Sequence, residues 1–221
     1  MAIDPSNTLF FEWHFIRITA TLVYTWITML ILVIASFLLT RNLKSGKKIS
    51  LSQNIVETLI ETISGQIAKI SQQEFKRYFP FVGTLFIFIF TATILSIVPG
   101  FVSPTGSLNT TIALSLCVFF AAPAYGIRVQ GIRKYLKEYT KPSIIMLPFN
   151  IIGEFSRTIS MAIRLYGNVM SSSIIIAILL GIIPLFFPII MQLLGLLTGT
   201  IQAYIFAVLA TVYIAAATRG K

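Results

Sequence analysis

The chain has 221 residues, of which 56% are hydrophobic and only 11% charged, with a mean hydropathy of +0.88. That balance excludes a soluble domain and places the chain among polytopic membrane proteins. The formal net charge of +10 does not point to nucleic acid, because the basic residues fall in short segments between apolar runs, where membrane topology accounts for them.

The N-terminus carries Asp4 and Glu12 and has no basic n-region, so the first apolar run, 18–40, is expected to persist as a span rather than to be cleaved. His14, the single histidine, stands at the outer edge of that run and reads as an interfacial side chain. The segment 50–73 has a different pattern. Leu51, Ile55, Leu59, Ile63, Ile67 and Ile70 recur at helical spacing, while Gln53, Asn54, Glu57, Thr58, Glu61, Gln66 and Lys69 fill the opposite side. An amphipathic helix lying in the plane of the interface is predicted there, with Ser50 and Gln53 as a capping box.

Apolar runs at 79–98 and 108–127 are each long enough to cross a hydrocarbon core of about 30 Å. Pro99-Gly100 and Pro104-Thr-Gly106 punctuate the uncharged loop between them, which reads as a simple turn-around. Cys117 is the only cysteine and lies in an apolar run, so neither a disulfide framework nor a thiolate metal site is expected. No metal or cofactor is predicted.

Orientation follows from the basic residues. Arg41, Lys44, Lys47, Lys48, Lys69, Lys76 and Arg77 precede the second span, Arg128, Arg133, Lys134, Lys137 and Lys141 follow the third, and Arg219 and Lys221 end the chain. Fourteen of the 17 basic residues thus share one side, which the positive-inside rule makes cytoplasmic. The N-terminus is then outside and the C-terminus inside, which requires an odd number of crossings. Five spans plus the in-plane helix satisfy the count, giving an all-α single membrane domain over 1–221.

The last two runs, 149–181 and 189–218, are longer than an upright span. At about 1.5 Å per residue they reach about 45–50 Å against a core of about 30 Å. A steeply tilted helical hairpin fits that excess, with Gly181, Pro184 and Pro188 supplying the bend, and two ordinary spans with overhanging or kinked ends are the alternative.

Arg164 is the only Asp, Glu, Lys, Arg or His between Arg157 and Arg219. A guanidinium at membrane depth costs roughly 2.5–3.5 kcal/mol on insertion scales, so its presence points to an ion or substrate pathway, with a structural plug as the competing reading. Arg157, Ser160, Arg164, Asn168 and Ser171 follow one another at offsets of three, four, four and three and share a helix face. Ser171, Ser172 and Ser173 extend that wettable surface outward. On the second helix of the hairpin, Gln192, Gly195, Gly199, Gln202, Phe206 and Tyr213 trace another face, in which Gly195 and Gly199 form a GxxxG pair. Glu154 lies three residues before Arg157, a spacing suited to an ion pair near the cytoplasmic entrance.

The stretch from Pro148 to Asn168, PFNIIGEFSRTISMAIRLYGN, followed by Gly199 to Phe206, GTIQAYIF, strongly resembles subunit a of bacterial F-type ATP synthases. The N-terminal span, the in-plane helix and the cytoplasmic loop from Tyr135 to Pro142 extend the resemblance over nearly the whole chain. It implies a stator that holds a slanted hairpin against a rotating ring of c subunits, each with a membrane-buried carboxylate. Subunit b of the peripheral stalk, the other F-type subunits, the lipid bilayer and the transported cation are its further implied partners. Arg164 matches the family's essential arginine; a fixed cation there favours the ionised form of a passing carboxylate and blocks a short circuit between two offset half-channels. Gln202 matches the glutamine beside that arginine, and Asn168 a polar position bordering a half-channel.

The chain departs from many bacterial relatives, which carry a Glu nine residues after the arginine and a His seven before the glutamine; Ser173 and Gly195 stand there instead. With that titratable relay absent, both proton and sodium coupling stay open. No GxxxxGK[ST] phosphate cradle occurs, so the subunit by itself is not expected to be an enzyme. A membrane-embedded lipid enzyme would need a nucleophile with a base or a metal cluster, and a secondary transporter would be expected to show internal repeats. The expected location is a bacterial inner membrane.

Overall fold

The computed structural model describes residues 9–13, 16–41, 77–98, 100–139, 146–183 and 186–218, together with Thr58, Glu61 and Gly65. Among the described residues, the fold consists of six α-helices: α1 (Ala20–Arg41), α2 (Phe79–Leu95), α3 (Leu108–Gln130), α4 (Ile132–Tyr139), α5 (Met146–Ile182) and α6 (Phe187–Thr218). Four of these, α1, α3, α5 and α6, contain stretches long and apolar enough to cross a membrane, and α2 is a shorter apolar helix of 17 residues. The protein is therefore an all-α polytopic membrane protein. Of the in-plane helix expected over 50–73, only Thr58, Glu61 and Gly65 are described, each helical and exposed. The rest of that segment lies outside the described residues.

A short feature precedes α1 that the apolar pattern did not announce. Strands β1 (Leu9–Trp13) and β2 (Ile16–Thr19) pair antiparallel, with Glu12 opposite Arg17 and Trp13 opposite Ile16.

The core forms where α2, α3, α5 and α6 meet. On α6 the buried positions Gly199, Gln202, Ala203, Phe206, Ala207, Ala210, Thr211, Ile214 and Ala215 alternate in steps of three and one, the stripe of a helix with one face turned to protein. Thr158, Met161, Ala162 and Leu165 repeat that rhythm on α5. Gly199 and the alanines make up most of the α6 stripe, so backbones approach closely around the larger Phe206 and Ile214. A Cβ added at Gly199 would lie 2.5 Å from Thr93 Cγ2 of α2. Near the other end of α6, one at Gly126 of α3 would lie 2.6 Å from the Tyr135 ring and 2.8 Å from the Ala217 carbonyl.

The α2–α3 connection is more than a turn-around. After α2, Ile97 and Val98 donate three residues back to Ile94 and Leu95, Gly100 adopts φ +86°, and Pro104–Gly106 forms a 3-10 turn. Every residue from Ser103 to Ser107 is buried. Ser103 Oγ lies 2.8 Å from Thr105 Oγ1 and reaches the Ala92 carbonyl at 3.3 Å. Gly106 faces Val169 of α5, where an added Cβ would stand 3.6 Å from Cγ1. Irregular backbone inside a membrane protein persists where protein covers it, and small side chains make that covering possible here.

Helix α1 is peripheral. Tyr24 donates to the Gly100 carbonyl at 3.0 Å and meets Phe101 edge-on at 5.0 Å, while Trp26, Leu30, Val33, Phe37 and Leu38 remain exposed.

Candidate functional site

Arg164 is the middle residue of the 37 in α5, with about 27 Å of helix on either side. Its side chain is exposed, in a shallow groove lined by Ser156, Ile159, Ser160 and Ile163. Among the described residues it has no hydrogen-bond or ion-pair partner. Helix α5 as a whole turns outward: only 6% of its most apolar window is buried inside the chain, against 33% for α6. The guanidinium is thus presented to whatever packs against the outside of the hairpin.

The other stripe residues flank it. Asn168, half-buried, offers its carbonyl to Ser171 Oγ at 3.2 Å and Ser172 Oγ at 3.0 Å, and Ser173 Oγ donates to the Val169 carbonyl at 3.0 Å. The three hydroxyl protons are thereby committed to backbone, which leaves their oxygens as acceptors. Ser172 also faces α6, where a Cβ at Gly195 would stand 3.4 Å from it.

Gln202 lies on α6, buried at 6% exposure, and no hydrogen bond joins it to Arg164. Gln192 ties α6 to the turn that follows α2, its Nε2 donating to the Ile97 carbonyl at 3.0 Å. Glu154 and Arg157 both line a cavity of about 330 Å³ between α3, α4, α5 and α6, shared with Asn150, Thr158, Tyr135 and Tyr213. Both residues of the expected ion pair thus face the same cavity, and Arg157 places its Cζ 5.9 Å from the centre of the Tyr213 ring, a cation–π distance. A spacing of three residues permits the local pair, but an aromatic face from α6 competes for the same guanidinium.

Two features escaped the sequence reading. Ser107, Thr111 and Ser115 sit at intervals of four on the buried face of α3, a spacing that was available as a signal. Among the described residues, Ser107 Oγ is buried with no hydrogen-bond partner. The second is the role of Tyr213 as the partner of Arg157, which joins residues of two helices and leaves no local trace.

With this geometry in view, residues 22–215 match the family model described as ATP synthase A chain. The chain belongs to that family. ATP synthase subunit a 2 of Acaryochloris marina is 53% identical over 219 residues, covering 99% of this chain and 94% of that protein. ATP synthase subunit a of Albidiferax ferrireducens is 51% identical over 221 residues, 100% of this chain and 96% of its own length. ATP synthase subunit a 1 of Chlorobaculum tepidum is 48% identical over 221 residues, with both chains covered in full. As an ATP synthase A chain, the protein is a membrane component of an ATP synthase complex engaged in ATP synthesis and ion transport. The matched segment takes in α2 to α5 whole and most of α1 and α6, and with them the polar stripe, the cavity and the buried loop; the β1–β2 ribbon lies outside it.

Proposed function

We propose that this chain is the ion-guiding stator of the complex, and that Arg164 faces the acidic sites of a rotating c-ring. The single observation that carries the reading is the outward guanidinium at the midpoint of α5, which has no hydrogen-bond or ion-pair partner among the described residues. A cation so placed is costly against lipid and becomes favourable against a carboxylate supplied from outside the chain. Ser156 and Ser160 beside it are small enough to admit a neighbouring helix to close range.

In this reading the hairpin separates two watery dead ends. Toward the outside, Asn168, Ser171, Ser172 and Ser173 supply acceptor oxygens for a chain of water, with Gln192 and Gln202 on the facing helix. Toward the cytoplasm, the cavity of Glu154 and Arg157 admits water from the other side. A ring carboxylate reaching Arg164 is held ionised and gives up its proton, so transport requires rotation. Protons travel by water and hydroxyls, which suits a lining without His, Asp or Glu at the positions of Ser173 and Gly195.

Five spans, the N-terminus outside and a strong tilt of α5 and α6 complete the proposal. Their 37 and 32 residues correspond to about 55 and 48 Å of helix against a core of about 30 Å. The peripheral stalk's subunit b would hold the chain against the torque, in a bacterial inner membrane.

The test is Arg164→Lys and Arg164→Ala in the assembled complex, reconstituted in vesicles, with subunit composition checked. Loss of ion-driven ATP synthesis in both variants is expected, because Lys lacks the planar fork and binds as a point charge. Full synthesis by either variant refutes the assignment. Varying sodium at fixed pH in the same vesicles decides the ion: activation by sodium would replace the proton in this scheme.

A further inference from the structure

The corner between α3 and α4 carries charges that ion movement along the hairpin does not use. Arg128, Arg133 and Lys134 are all exposed there, and between them Val129 and Ile132 present apolar side chains at 42% and 59% exposure. In sequence, Lys137 and Lys141 continue the run, and Glu138 is the single acid from 128 to 141. Cations interleaved with exposed aliphatic side chains at the end of a membrane helix are the pattern of an element lying at the headgroup level.

The corner is also held rigidly. Gly131 adopts φ +81° and its N–H closes on the Ile127 carbonyl at 2.9 Å, which ends α3 and redirects the chain. Gln130 Nε2 donates to the Ala217 carbonyl at 3.1 Å, anchoring the corner to the last turn of α6. Tyr135, 7% exposed, is driven inward against Gly126, so Arg133 and Lys134 are held outward. With the backbone of the corner tied down, only the side chains are left to order on binding.

We propose that this corner is a seat for anionic phospholipid headgroups of the adjacent leaflet, with the phosphates on Arg128, Arg133 and Lys134 and the acyl chains along Val129 and Ile132. Net charge selects the ligand: five cations against one acid in fourteen consecutive residues favour a phosphodiester with no compensating amine over a zwitterionic headgroup. Positive charge required only for topology would need neither the fixed turn nor the exposed aliphatic pair.

The experiment uses the assembled complex in mixed micelles of phosphatidylcholine and phosphatidylglycerol, with retained lipid counted by native mass spectrometry. Removing one cation, as in Arg133→Gln, should weaken phosphatidylglycerol retention about fivefold, and the triple variant R128Q/R133Q/K134Q about 100-fold. Arg41→Gln, an exposed cation at the end of α1, is the matched control and should leave retention unchanged. Undiminished retention in the triple variant overturns the seat, and so does an equal loss with Arg41→Gln, which would mean diffuse attraction to the membrane. Glycerol 3-phosphate distinguishes a lipid from a soluble phosphate: displacement of the lipid at equal concentration would also overturn the proposal. ATP hydrolysis by each variant complex reports that assembly is intact.

Discussion

Gly195 and Gly199 form one GxxxG pair in sequence, yet the structure assigns them opposite sensitivities. At Gly199 an alanine methyl would stand 2.5 Å from Thr93 Cγ2 and 3.2 Å from its Oγ1. Thr93 cannot swing away easily, since it is buried, β-branched and holds the Ile89 carbonyl at 2.9 Å. Reaching the 3.4 Å of ordinary contact requires α2 and α6 to part by about 0.9 Å. Overpacking of this kind costs about 1–3 kcal/mol, and the better helix propensity of alanine returns about 1 kcal/mol. Gly199→Ala should therefore destabilise by ~0–2 kcal/mol and, because Gln202 lies one turn away, shift the hairpin enough to lower coupled transport. At Gly195 the added methyl meets Ser172 at 3.4 Å, so Gly195→Ala should be neutral or stabilising by up to about 1 kcal/mol. Thr93→Ser removes the clashing methyl and keeps the hydroxyl, and should restore Gly199→Ala in a double-mutant cycle. The assay is thermal denaturation of the purified complex alongside ATP-driven pumping in vesicles. Equal shifts at both glycines, or failure of Thr93→Ser to rescue, would refute the reasoning.

Gly126→Ala should destabilise by ~0–2 kcal/mol by the same balance of overpacking against helix propensity, since the Tyr135 ring and the Ala217 carbonyl both crowd the added methyl. Thermal denaturation should show Tyr135→Leu rescuing it only in part. Arg157→Met should cost ~0.5–1 kcal/mol through the lost cation–π contact, and the coupling to Tyr213→Leu in a double-mutant cycle should account for most of it. Ser107→Ala removes a buried hydroxyl without a partner and should be neutral or stabilising in the same melts. A loss above about 1 kcal/mol would reveal a water or other group bonded to it.

The fold class was legible because it rests on long apolar runs, and membrane helices reveal themselves by length. The inward face of α6 was legible in part, at Gly199, Gln202 and Phe206, since a helix packed on one side repeats at 3.6 residues; the alanines beside them are as common on lipid-facing sides and gave no sign. The β1–β2 ribbon was hidden by its position: Ile16 and Ile18 are at once alternate residues of a strand and the apparent beginning of an apolar run. The loop at 103–107 misled because uncharged small residues with proline and glycine describe an exposed turn and a buried plug equally well. Arg157 shows the other limit, for its i−3 neighbour is visible in the sequence and the Tyr213 ring, from a helix more than fifty residues later, is not. Arg164, by contrast, stood out through its solitude, and the structure adds the direction in which it points.

The loose seating of α1 has a consequence for biogenesis. Through Tyr24, α1 holds on to Gly100 and Phe101, the first of them 76 residues further along the chain. During synthesis these two contacts of Tyr24 close only once the connection beyond α2 has been made, while Leu32 of the same helix packs against the core.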